Sequence, residues 1–218
     1  MQVSLRSTAR WWMHRCVSRL AFVGFCVAAA AAGAQDLVHV EEDWELVIAT
    51  PDQNSCGPQV ACAISPFSDI SSTFFTLEVN HRSAPYWTAG GITIHQWFGE
   101  ARIQSMDRND RGVMNTPDEV VTWTTVLDVD NAGLLTFQVK NGTSSTWNTF
   151  GTSGHLKLQS WFWGNLNNYT PDVSVSQSGV AYASNRVRSL KILEIRGTLD
   201  DGSTASDNST RVVYQLQE

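Results

Sequence analysis

The chain has 218 residues, a formal net charge of −6 and 42% hydrophobic residues. All 21 acids lie after residue 34, where only 11 of the 15 lysines and arginines remain, so that portion carries −10. This acidic balance argues against nucleic acid or an anionic lipid surface as partner, and the length suits one β-rich domain whose core needs no metal or disulfide staple.

Residues 1–34 read as a secretory signal peptide. Arg6, Arg10, Arg15 and Arg19 precede an apolar run from Leu20 to Ala32, and the small-residue triplet Ala32-Gly33-Ala34 marks cleavage after Ala34. The run is short for a retained anchor and no second one follows, so no membrane span is expected after cleavage. The expected location is secreted, periplasmic or cell-surface. Residues 35–218 then form a single domain with no repeat or linker.

After residue 35 the periodicity is that of strands. Val38, Val40, Trp44, Leu46 and Ile48 alternate with polar residues, Glu42 being the exception. Glu41, Asp43 and Glu45 share the other face, in a Glu-x-Asp-x-Glu pattern. Cys56 and Cys62 follow; export invites a disulfide, but six extended residues span roughly 20 Å and a bridge needs Cα atoms within about 7 Å. Gly57-Pro58 could turn the chain. A bridge and two buried thiols both remain open here.

Phe75, Leu77 and Val79 predict the next strand, Ile92, Ile94 and Phe98 another, and Val121, Trp123, Leu127 and Val129 a third. Asp130-Asn131-Ala132-Gly133 predicts a turn into Leu135, Phe137 and Val139. Residues 141–154 and 200–210, rich in Ser, Thr and Asn, read as hairpin loops. Leu156, Leu158 and Phe162 alternate with His155, Lys157, Gln159 and Trp161. Val187 to Ile195 is apolar on both faces and reads as a central strand, and Val212, Tyr214 and Leu216 close the chain. Period-2 runs punctuated by turn chemistry predict an all-β, antiparallel sandwich of jelly-roll type.

Three runs carry a family resemblance. Val121-Thr-Trp-Thr-Thr-Val-Leu-Asp-Val-Asp, Gly133-Leu-Leu-Thr-Phe-Gln-Val-Lys-Asn-Gly and Ser189-Leu-Lys-Ile-Leu-Glu-Ile-Arg resemble strands of concanavalin A-like jelly rolls of the laminin-G or lectin kind. The resemblance covers about half of the domain, implies the fold, and transfers no functional residue.

Several residues are candidates for chemistry. Glu41, Asp43 and Glu45 resemble the signature of retaining jelly-roll glucanases, in which two carboxyl groups flank the scissile bond. The motif stands in the first strand here instead of mid-chain, so a solvated acidic face is the competing reading. Asp128-Val-Asp130-Asn131-Ala132-Gly133 begins like a calcium loop, but Ala132 and Val139 occupy ligand positions, and a hairpin turn accounts for the same residues. No His/Cys set has metal-ligand spacing, so no metal or other cofactor is expected, calcium at that loop being the alternative.

The aromatic and amide residues point to a binding surface. Trp161, Trp163, Asn165 and Asn167 set indoles beside amides, with His155 and Gln159 on the same face as the indoles; His95 and Trp97 share a face elsewhere. Sugars need this pairing, an apolar ring to stack on and amides for their hydroxyls. The competing reading buries these tryptophans between the sheets. The expectation is a non-catalytic binding module for polysaccharide or glycan. A glycan-cleaving enzyme using Glu41 and Glu45, and a structural or adhesive cell-surface protein, are the alternatives.

Overall fold

The computed structural model describes residues 35–49, 59–79, 91–108, 116–152, 154–182 and 186–217. In chain order the elements are β1 (Leu37–Ile48), β2 (Gln59–Ile64), β3 (Thr73–Val79), β4 (Ile92–Phe98), β5 (Ala101–Arg108), β6 (Val120–Val129), β7 (Leu134–Ser144), β8 (Asn148–Phe150), β9 (Lys157–Trp161), α1 (Pro171–Gln177), β10 (Gly179–Tyr182), β11 (Val187–Leu199), β12 (Thr204–Asp207) and β13 (Arg211–Gln215). They build an all-β sandwich of two antiparallel sheets. The larger runs β12-β11-β1-β6-β7-β8, with β13 also on β11 and β9 also on β7; the smaller runs β10-β2-β3-β4-β5. Asp36–Glu218 forms one compact unit. The signal-peptide reading, Cys56 and the Gly57-Pro58 turn fall outside the described residues.

Alternation puts the oily side chains between the sheets. Val40, Trp44, Leu46 and Ile48 of β1, Val121, Trp123 and Leu127 of β6, and Leu135, Phe137 and Val139 of β7 form one wall. Cys62, Ile64, Phe75, Leu77, Ile92 and Ile94 form the other. Phe75 of β3 stacks on Phe137 of β7 with centroids 5.0 Å apart, so the two inner faces interdigitate at that pair. Cys62 is a free, buried thiol in this wall.

Glu42 breaks the alternation and is buried completely. One carboxylate oxygen accepts from Tyr169 Oη (2.8 Å) and Ser174 Oγ (2.5 Å). The other accepts from Trp44 Nε1 (3.2 Å) and Thr125 Oγ1 (3.1 Å). Burial pushes its pKa up, and the four donors only partly offset this. These bonds tie residue 169 and α1 to the inner face of the large sheet. The helix starts where Thr170 caps it, accepting from Asp172 N, with Pro171 next in the first turn. No helix among the described residues is long and apolar enough to cross a membrane.

The structure also revises several sequence expectations. Residues 200–210 contain β12, and 141–154 contain the end of β7 and all of β8. Strands β2, β5 and β10 and helix α1 were not among the predicted elements.

Candidate functional site

Strand β9 and the two residues after it bring two indoles to the surface. Leu158 pairs with Phe137 and points inward. Phe162 also turns inward, its ring edge-on to Phe67 at 5.6 Å. The alternation then throws Trp161 and Trp163 outward, 69% and 89% exposed. Their rings are nearly parallel, 11° apart, with centroids separated by 6.2 Å. Six large hydrophobic side chains are exposed among the described residues, and these two are the largest and Trp163 the most exposed.

The backbone beneath the pair is held from both sides. Phe162 N donates to Gly133 O at 2.8 Å. Gly133 sits at φ +79° in the β6–β7 turn, and a Cβ there would come within 3.2 Å of Phe162 O, so glycine serves both the turn and the close approach. Asp130 Oδ1 closes the turn by accepting from Ala132 N (2.8 Å) and Leu134 N (2.9 Å). On the other side, Leu166 is buried and its N–H donates to Leu37 O at 2.7 Å.

The amides expected to meet ligand are largely occupied within the protein. Asn167 Oδ1 accepts from Leu37 N (2.7 Å) and its Nδ2 donates to Asp36 (2.8 Å). Asn165 Oδ1 accepts from Asn167 N at 3.0 Å. Gln159 Nε2 donates to Thr136 Oγ1 at 3.1 Å. His155 lies just before β9, half-buried and engaged with a neighbour. These residues therefore shape the segment around the indoles.

His95 and Trp97 are elsewhere. They lie on β4 in the smaller sheet, while β9 belongs to the larger, so the two predicted faces do not adjoin on one sheet. Trp97 donates from Nε1 to Thr76 Oγ1 (2.9 Å) and stacks on Phe74. His95 is buried, with Nδ1 2.8 Å from Ser105 Oγ and Nε2 3.7 Å from a Glu78 oxygen. That last distance is too long for the hydrogen bond by which a carboxylate orients a catalytic imidazole.

Glu41, Asp43 and Glu45 do share the outward face of β1, in the middle of the larger sheet. Two bulges flank them, one at Leu193 on β11 and one at Asn141–Gly142 on β7, where Asn141 takes φ +56°. Between them lies an open pocket of about 310 Å³, lined by Asp43, Thr122, Thr124, Asn141, Leu193 and Arg196. Arg196 clamps Glu41 (2.8 Å) and Asp43 (2.5 Å) and also reaches Glu194 (2.9 Å). Lys140 and His39 bind Glu41 as well. Burial pushes the Glu41 pKa up, but Lys140, Arg196 and His39 together outweigh it and hold the carboxyl down at about 2. Asp43 is likewise raised by burial and lowered more strongly by Arg196 and Thr124. Glycoside cleavage by Glu41 and Glu45 needs one carboxyl kept protonated as the acid, and Glu41, held ionised, is unfit for that part. Glu45 lies 3.9 Å from Lys191.

Among the described residues no group of three or more His, Cys, Asp or Glu could hold a metal ion. Asp130 is engaged by its own turn, and Asp128 is bonded to His39 Nδ1 at 2.8 Å.

Sequence reading found the indoles but missed Phe98 and Ile103, each 57% exposed. Phe98 entered the sequence reading only as a member of the Ile92, Ile94, Phe98 alternation that predicts its strand. Compared with known proteins, the chain matches no family model and no curated sequence.

Proposed function

We propose that the chain is an exported, non-catalytic carbohydrate-binding module of concanavalin A-like type, with Trp161 and Trp163 as its sugar-stacking surface. One observation carries the reading: two adjacent indoles held nearly parallel and left largely open to solvent by a sandwich that buries Trp44, Trp123 and Trp147 almost completely. Leaving that much aromatic surface in water forgoes burial worth about 25 cal/mol per Å², and such exposure marks an interaction surface. An exposed indole face matches the C–H face of a pyranose ring, which is apolar although its rim carries hydroxyls. Lys140, His39 and Arg196 already occupy both oxygens of Glu41, one of the two carboxyls the hydrolase alternative would use, and this favours the non-catalytic form of the reading.

The test is retention on a panel of immobilised polysaccharides. The wild-type chain is expected to bind at least one, and Trp161→Ala and Trp163→Ala are each expected to weaken binding about tenfold, the equivalent of about 1.4 kcal/mol. Equal retention of both variants and the wild type would remove the basis of the reading.

A further inference from the structure

The pocket on the outer face of the larger sheet is made by two bulges that stand in one cross-strand row. Trp44 of β1 pairs with Trp123 of β6, and both side chains belong to the core. Their row therefore puts no side chain on the outer face, where Asp43 and Thr124 border it on one side and Thr122 on the other. On β11 the register jumps from Glu194, opposite Asp43, to Ile192, opposite Trp44, so Leu193 is an extra residue. On β7 it jumps from Lys140, opposite Thr124, to Thr143, opposite Thr122, so Asn141 and Gly142 together face Trp123. Leu193 and Asn141 both line the pocket of about 310 Å³, one from each flanking strand. Asn141 holds φ +56°, a conformation that asparagine tolerates better than most residues. Gly142 beside it has no freedom to change, because a Cβ there would lie 2.2 Å from the Phe150 ring. Core packing thus fixes the strand that carries the Asn141 wall.

The charges in the pocket are already matched. A guanidinium has about five N–H donors, and Arg196 makes five hydrogen bonds, all to Glu41, Asp43 and Glu194. No N–H of that cation is left for a phosphate or carboxylate. Asp43, in turn, is paired with Arg196 and also accepts from Thr124 Oγ1 at 2.7 Å. The unspent capacity is on neutral groups. No described residue donates to Asn141 Oδ1, and Asn141 Nδ2 makes one long contact, 3.5 Å to Thr124 Oγ1. The Thr122 and Thr143 hydroxyls bond each other at 2.8 Å, which leaves one of the two protons free to donate outward. Leu193, half-buried, adds an aliphatic wall. We infer that this pocket is a second ligand site and takes one neutral, polyhydroxylated ring, a single hexopyranose unit. The Asn141 amide and the Thr122–Thr143 pair would meet its hydroxyls, and Leu193 its C–H edge. A hydroxyl both donates and accepts, so it suits an amide and a hydroxyl pair with no unpaired charge beside them. The volume stands at the lower end of ligand sites, roughly 300–1,000 Å³, which fits one ring. The inference goes beyond the reading above and shares no residue with it.

The experiment titrates the isotopically labelled full chain by NMR with glucose, galactose and mannose, with the uronic acid of each, and with methylammonium. At least one neutral hexose is expected to shift the Asn141 side-chain amide and the Leu193 methyl signals and to saturate in the millimolar range. Its uronic acid should bind more weakly, and methylammonium should not shift these signals. Asn141→Gly, which keeps the backbone conformation, and Leu193→Ala should each weaken binding about fivefold, with the spectra of the free variants showing the fold intact. Trp161→Ala/Trp163→Ala should bind the hexose as the wild type does. Absence of these shifts with every hexose would overturn the inference, as would unchanged affinity in both pocket variants. Equal or tighter binding of the uronic acid, or shifts with methylammonium alone, would also overturn it, because the site would then read charge. A tryptophan variant that loses the Asn141 and Leu193 shifts would show that the pocket is not a separate site. Loss of polysaccharide retention with the hexose shifts intact removes the indole reading and leaves this one standing.

Discussion

Replacing Glu42 tests the packing between the sheets. In Glu42→Ala, Trp44 Nε1 still donates to Thr125 Oγ1 at 3.0 Å, whereas the hydroxyls of Thr125, Tyr169 and Ser174 lose the acceptor that the structure gives them. Each stranded donor costs about 1–3 kcal/mol. Ser174 is fully buried and Tyr169 only partly. With the void left by the side chain, the expected loss is about 3–5 kcal/mol. Glu42→Gln keeps the volume and one acceptor, and its amide can donate to the hydroxyl oxygens of Tyr169 and Ser174, so it costs about 1 kcal/mol at acid pH. The two proteins then respond differently to pH. The Glu42 pKa is raised on folding above its ordinary 4.5, so between 4.5 and the folded value the native state holds more protons than the unfolded state. Stability from this group is therefore fully present below 4.5 and declines as pH rises through the folded value. Glutamine has no such term. Urea unfolding at several pH values from 4 to 8 should show the gap between wild type and Glu42→Gln shrinking as pH rises. Parallel curves, or a Glu42→Ala loss below 1 kcal/mol, would refute the reasoning.

Arg196→Met should cost about 1–2 kcal/mol at neutral pH and low salt, since Arg196 joins Glu41, Asp43 and Glu194 on a partly exposed face. The sign is opposite to that of Glu42: Glu41 is lowered to about 2, so its stabilisation is present above 4.5 and lost as pH falls through 2. Acid titration monitored by circular dichroism should bring the wild-type and Arg196→Met stabilities together in that window. Gly151→Ala should lower stability by about 2–4 kcal/mol, because φ is +74° and a Cβ would lie 2.6 Å from Val139 O. Gly202→Ala, at φ +84° with open space around it, should cost only about 1–2 kcal/mol; equal thermal shifts for the two would contradict the clash argument. Phe137→Ala should cost about 3–5 kcal/mol through the cavity left against Phe75, read as a lower urea midpoint.

The strands that sequence alone could place are those with one wet and one dry face. β3 alternates cleanly and β1 does so apart from Glu42, while Val212 of β13, expected to face inward, is exposed; turn residues such as Asp130-Asn131-Ala132-Gly133 bound the neighbouring strands. β2 escaped because Val60, Ala61, Cys62, Ala63 and Ile64 are buried on both faces and carry no alternation. β5 escaped for the reverse reason: it is an edge strand in which Ala101, Arg102, Ile103 and Ser105 are all exposed, so no buried face sets an alternation. α1 escaped because it is only seven residues long, too short to show a helical period. Glu42 stood out as an exception, yet its partners Tyr169 and Ser174 come from more than 120 positions away, a distance no local pattern bridges. The same holds for the amides: Asn167 bonds back to residues 36 and 37, so composition suggested a ligand where the chain closes on itself.

The central claim is that Trp161 and Trp163 are the contact surface, and solvent protection reads it most directly. Oxidative modification of indoles, mapped by mass spectrometry with and without bound polysaccharide, should label both residues in the free chain and protect both in the complex. Trp44, Trp123 and Trp147, which the core encloses, should stay unlabelled in each state. A complex in which Trp161 and Trp163 remain as reactive as in the free protein would contradict the account.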